Sequence, residues 1–143
     1  LDPLAANEVA REERYLGMSY QVLKTDQAPA AIGPYSQGIM TEHFVFVSGQ
    51  IPVNPETGTM PDTIVEQTKQ VMQNIAAILS EGNLTLDDVV TRTIFLTDMD
   101  DFVVVNGVYK TFFAETPPAR STVAVSVLPK QAKVEIEVIA ARC

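Results

Sequence analysis

Arg120 is the residue in this chain best placed to do chemistry. Pro117-Pro118-Ala119 leads into it, and Ser121-Thr122-Val123-Ala124-Val125 follows it. A proline ring locks its own φ and pushes the preceding residue out of the helical region, so the approach is extended and stiff. The β-branched run after it predicts a strand. A guanidinium held there can offer a planar fork to a carboxylate, which a lysine cannot match in geometry. Its plain alternative is a solvated arginine at a strand edge. Five other positions have chemical potential. Tyr35 closes a loop, residues 28–38, punctuated by Pro29, Gly33 and Pro34; such loops carry binding groups, or merely pack an aromatic ring on the core. Gly49 ends an apolar run, where a glycine permits close approach of a ligand or marks a bulge. Asn106 sits among apolar residues of a predicted helix, and a buried amide needs partners, in a loop, a ligand or the fold itself. Glu135 and Glu137 share one face of an alternating strand and, read locally, face water.

Composition narrows the classes. The 143 residues suffice for one domain with a core of its own. The formal charge of −8 and the pI near 4.5 argue against a nucleic-acid footprint. His43 and Cys143 are the single histidine and the single cysteine. An intrachain disulfide and a clustered Cys/His zinc site are therefore ruled out, and a Ser-His-Asp triad would have to use His43, around which nothing suggests one. With neither a signal peptide nor an apolar run of membrane-spanning length in view, a reducing, cytoplasmic setting is expected. Residues 1–17 are charged and helix-prone and precede Met18-Ser19; they are expected to be a non-native or dispensable extension, with 18–143 as the single domain.

The elements that position these groups follow from periodicity. Residues 20–25 predict a short edge strand, and Phe44-Val45-Phe46-Val47-Ser48 a buried one. Ile64, Thr68, Val71, Ile75, Ile78 and Leu79 form one helical stripe; Asp62 or Thr63 can cap it, Thr63 with Glu66 as a capping box, and Gly82-Asn83 stops it. Residues 89–97 predict a strand. Asp98 can cap a second helix over about 99–114, with Phe102, Val105, Val108, Tyr109, Phe112 and Phe113 on its apolar side. Strands over 120–128 and 133–141 follow, joined by a hairpin-like connection at 129–132. The order β-β-β-α-β-α-β-β predicts a mixed sheet with two helices on one face. The strands near Phe44 and Thr122 are apolar on both faces, so the second face needs a cover, and further subunits are the candidates.

Four motifs, Ala30-Ala31-Ile32-Gly33-Pro34-Tyr35-Ser36-Gln37-Gly38, Ser48-Gly49-Gln50-Ile51-Pro52, Pro118-Ala119-Arg120-Ser121 and Val134-Glu135-Ile136-Glu137-Val138-Ile139-Ala140, occur in an order and spacing that resembles the RidA (YjgF/UK114) family. The resemblance covers residues 24–142. It implies an α+β, chorismate-mutase-like fold and a homotrimer with sites in the clefts between subunits. It implies cofactor-free deamination of enamines and imines such as 2-aminoacrylate, released by pyridoxal-phosphate enzymes, to 2-oxo acids and ammonia. By motif, Arg120 binds the substrate carboxylate, Glu135 positions or activates water, and Tyr35 lines the cleft from a neighbouring chain. Gly49, Asn106 and the backbone at Thr122 match further ligand-contacting positions. Thr122 stands where many relatives carry cysteine, which removes a thiol role and leaves backbone contacts. The family also contains proteins described as non-catalytic binders of 2-oxo acids and as ribonucleases or translation inhibitors; the acidic balance speaks against the last.

Overall fold

The alternation of Val134–Ala141 organises the sheet. Val134, Ile136, Val138 and Ala140 are buried, while Glu135, Glu137 and Ile139 point the other way. In the computed structural model, which describes residues 20–113 and 116–143, six strands and two α-helices follow the expected order. They are β1 (Gln21–Leu23), β2 (Gly38–Met40), β3 (Phe44–Gln50), α1 (Ile64–Glu81), β4 (Val89–Leu96), α2 (Phe102–Lys110), β5 (Ala119–Ala124) and β6 (Val134–Ala141). The strand order is β1-β2-β3-β6-β4-β5. Pairing is antiparallel except between β4 and β5. The sheet is mixed, as expected.

One connection differs from expectation. β5 and β6 do not form a hairpin. β6 pairs with β3 and β4, so β4 lies between the last two strands. The link between them makes a 3-10 turn at Pro129–Gln131 with Lys130 at φ 53° and Gln131 at φ 58°. That turn carries the chain past β4 instead of folding it back on β5. β5 also ends at Ala124, short of the expected 128.

Thr63 caps α1 by accepting a hydrogen bond from the Glu66 amide at 3.2 Å. The Glu66 carboxylate faces Lys69 at 3.5 Å. Gly82 ends the helix and Asn83 follows at φ 58°. α1 buries Val71, Met72, Ile75, Ile78 and Leu79 against Val45, Val47, Ile94, Leu96, Ile136 and Val138 of the sheet. Each such side chain contributes about 1.5–3 kcal/mol when removed fully from water. Two buried amides fix the edges of this packing. Asn74 donates to the carbonyls of Ile51 and Val53, and Gln67 accepts from the Lys133 amide at the entrance to β6.

The second helix is shorter than predicted. A 3-10 turn at Met99–Asp101, where Asp98 accepts from the Asp100 amide, leads into α2. The helix stops at Lys110, and the Thr111 hydroxyl donates to the Val108 carbonyl at 2.7 Å. Three consecutive valines and Gly107 give poor helical propensity, so packing of the buried Val105 and Tyr109 sets its length. The predicted end at Ala114 and the expected extension at 1–17 lie outside the described residues.

Both helices pack on one sheet face. The other face carries Phe44, Phe46 and Val123, each about two-fifths exposed. No helix among the described residues is long and apolar enough to cross a membrane.

Candidate active site

Strand register divides the predicted site residues between the two sheet faces. Arg120 of β5 is the register partner of Arg92 of β4, and Arg92 in turn faces Val138 of β6. Register partners point to the same face, so Arg120 lies on the side covered by α2. There the Arg120 Nη1 donates to the Asn106 Oδ1, and its guanidinium lies 4.9 Å from the centre of the Phe102 ring. Asn106 was expected to be buried. It is exposed, because α2 buries only Val105 and Tyr109 and leaves the Asn106 side free to hold Arg120. Thr122, two residues along β5, shares this face, and its hydroxyl oxygen is buried without a hydrogen-bond partner.

Arg120 borders a cleft of about 660 Å³, lined by Arg92, Asn106, Tyr109, Lys110, Phe113 and the two prolines, Pro117 and Pro118. No ion pair joins Arg92, Lys110 or Arg120 to an acid among the described residues. Among the described residues the cleft lining is therefore cationic, in a protein that is acidic overall.

Glu135 is on the opposite face, paired in register with Phe95. It sits beside Gly49, which occupies an irregularity in the β3–β6 pairing between Val47 and Gln50. A Cβ at Gly49 would stand 2.7 Å from Glu135 Oε2 and 3.0 Å from its carboxyl carbon, so only glycine leaves the carboxyl its place. Partial burial raises the Glu135 pKa above the usual carboxylate value, and the charge of Glu137 raises it further. The expectation of a simply solvated glutamate face is thus replaced by a half-buried acid next to a more exposed one.

Tyr35 stands apart from both groups. It is half-exposed and lines a separate cleft of about 480 Å³ with Thr25, Ser36, Gln37 and Pro55. Its loop is rigidly held. Gln37 is buried, accepts from the Thr25 amide at 2.7 Å and donates to the carbonyls of Thr25, Ala28 and Pro29. One chain therefore brings Arg120 to Asn106, and Glu135 to Gly49, but leaves Arg120, Glu135 and Tyr35 in three places.

Arg92, Tyr109 and Lys110 are cleft residues that the sequence reading did not single out. Arg92 carried a signal. It opens the inward-facing set Arg92-Ile94-Leu96, and an arginine in register with two buried aliphatics is a buried arginine.

The profile of a known family, described as Endoribonuclease L-PSP, matches residues 25–142. A RutC family protein of Pyrococcus abyssi is 50% identical over 124 residues, covering 86% of this chain and 98% of that protein. The 2-iminobutanoate/2-iminopropanoate deaminase of Escherichia coli K12 is 46% identical over 125 residues, covering 85% of this chain and 98% of the enzyme. The crystal structure of E. coli TdcF with bound serine superposes with a TM-score of 0.84 at 44% identity, covering 86% of this chain and 99% of that one. The mixed sheet with two helices on one face, the four motifs on its strands and loops, and these matches along nearly the whole domain establish that the chain belongs to the RidA (YjgF/UK114) family.

Proposed function

We propose that the protein is an imine deaminase that hydrolyses short 2-imino acids, 2-aminoacrylate among them, to 2-oxo acids and ammonia. The observation that carries this reading is Arg120, held by Asn106 over the Phe102 ring at the edge of a cleft and paired with no acid among the described residues. Its remaining N–H donors suit a carboxylate, and a charge-assisted contact of this kind contributes about 1.5–3 kcal/mol. The similar E. coli protein is named for 2-imino acids, and TdcF was crystallised with serine, whose carboxylate is the same recognition group.

The chemistry asks little more. An enamine takes a proton at carbon and becomes an iminium ion. Water adds to the iminium carbon, a proton moves to nitrogen, and ammonia leaves as the carbonyl forms. A carboxyl group placed at the imine carbon and its attacking water serves both transfers. Glu135, with its pKa raised by burial and by Glu137, is the group for that role.

Arg120 and Glu135 lie on opposite faces of one sheet, so they can meet only across chains. On the family resemblance the active form is a homotrimer, with Glu135 and Tyr35 of one chain completing the cleft of the next. The exposed Phe44, Phe46 and Val123 on the Glu135 face support a cover made by neighbouring subunits. Light scattering that found a stable monomer would remove this part.

Activity is measured by coupling the protein to a serine dehydratase. Arg120→Ala should assemble and melt like the parent while losing roughly tenfold to over a hundredfold in apparent substrate affinity and efficiency. Arg120→Lys should recover little of it, because the charge returns without the fork. Full activity in a stable Arg120→Ala trimer sinks the reading. RNA cleavage by the same preparations, unaffected by Arg120→Ala, would favour the nuclease description of the family instead.

A further inference from the structure

Arg92 is 6% exposed, and its Nε and Nη1 are buried without a hydrogen-bond partner. Its guanidinium lies 3.5 Å from the centre of the Tyr109 ring and 5.2 Å from that of Phe113, and the two rings stack at 4.5 Å. Stacking places the guanidinium and satisfies part of its electrostatics. Among the described residues it leaves a buried cation with no anion, which is costly in any fold that does not supply one. Burial lowers the Arg92 pKa, opposed in part by Tyr109 and reinforced by the charge of Arg120. An arginine nevertheless stays protonated under all ordinary conditions.

The placement is that of a two-point anion site. Arg92 and Arg120 are register partners on adjacent strands and point to the same face. Each is held by a different residue of α2: Asn106 takes Arg120, and Tyr109 takes Arg92. Asn106 and Tyr109 are three positions apart on α2, so the two guanidinium groups are held by neighbouring parts of one helix. Both arginines border the same 660 Å³ cleft, with Lys110 adding a third cation. A three-carbon imino acid would engage Arg120 and leave Arg92 uncompensated.

We infer that this cleft selects small acids bearing a second carboxylate, with one carboxylate on Arg120 and the other on Arg92. Resting on the function proposed above, the preferred substrates are 2-imino dicarboxylates, the hydrolysable imines of acidic amino acids. The reaction is unchanged: water adds at the imine carbon and ammonia leaves, while the second carboxylate takes no part in bond making.

Calorimetry with 2-oxobutanoate, 2-oxoglutarate and inorganic phosphate on the intact assembly tests this. The unmodified protein should bind 2-oxoglutarate about tenfold more tightly than 2-oxobutanoate, the lower end of a charge-assisted contact. Arg92→Met should abolish that preference by weakening 2-oxoglutarate alone, and Arg120→Ala should weaken both acids. Equal or weaker binding of 2-oxoglutarate by the unmodified protein overturns the inference while leaving the carboxylate role of Arg120 intact. Failure of both acids to bind, or their indifference to Arg120→Ala, removes the underlying function as well. Tight competition by phosphate reassigns the second site to a phosphoryl group. Loss of assembly in Arg92→Met makes Arg92 a structural residue and overturns the inference too.

Discussion

The two faces of this sheet are built by the same strands and have opposite fates. On the helix side, β4 and β6 contribute Ile94, Leu96, Val134, Ile136 and Val138, none more than 2% exposed. On the other side the same strands carry Thr93, Phe95, Glu135 and Glu137, and β3 adds Phe44 and Phe46 at more than 40% exposure. One face is finished within the chain. The other is apolar enough to need a cover and yet contains a half-buried acid. The core lies on the helix side, with Arg120 at its edge, and Glu135 lies on the other, so substitutions of core residues and of the Glu135 face are separable.

The largest expected effect contrasts the faces directly. Ile136→Ala should destabilise the subunit by about 2–5 kcal/mol through lost burial and an unfilled cavity. Phe46→Ala should change the subunit fold little, and should shift the protein towards monomer at a given concentration, as read by light scattering. Comparable, concentration-independent losses in both variants would erase the distinction.

Next comes the acid. Glu135→Gln should lower kcat by about a hundredfold, the lower end for a proton-transfer group, while leaving 2-oxobutanoate affinity nearly unchanged. An effect on affinity alone would make Glu135 a binding residue. Gly49→Ala is a gentler form of the same test. The added methyl displaces the Glu135 carboxyl, so kcat should fall by about tenfold with the melting temperature close to that of the parent.

The smallest effect is on stability against pH. Because burial raises the Glu135 pKa in the folded state, the native protein holds this proton more firmly than the unfolded chain does. Stability from this group is present at acid pH and lost as pH rises through the folded pKa. Glu135→Gln should thus gain on the parent as pH climbs past the ordinary carboxylate range. A gap that narrows with rising pH would contradict the direction of the shift.

Much of the scaffold was legible because it obeys one local period. The helical stripe from Ile64 to Leu79, its Thr63 cap and the alternation of β6 emerge with bounds within a residue or two of the structure. The motifs carrying Arg120, Gly49 and Glu135 were legible by resemblance. What failed was non-local. Nothing between Pro129 and Ala132 announces that β6 will pair with β3 and β4 in preference to β5. Asn106 was misplaced because an apolar neighbourhood in sequence, Val103-Val104-Val105, lies largely on the solvent side, with Val103 76% exposed. Arg92 escaped notice because the outward half of its strand, Val90, Thr91, Thr93 and Phe95, dominated the pattern. That Arg120 and Glu135 occupy opposite faces depends on register across three strands, which no window of sequence contains.

The central position of β6 has a consequence for biosynthesis. Among the described residues, strand pairing joins the β1-β2-β3 portion to the β4-β5 portion only through β6, the last of the six strands to be synthesised. Until it emerges, β3 and β4 each present an unpaired edge, the kind of template that invites association with other chains. Folding of this domain therefore waits for its last strand and is governed by contacts of long sequence separation, such as Phe44 with Ala141. Premature termination before Val134 should leave two disconnected half-sheets that nascent-chain quality control would have to clear, not a shortened version of the protein.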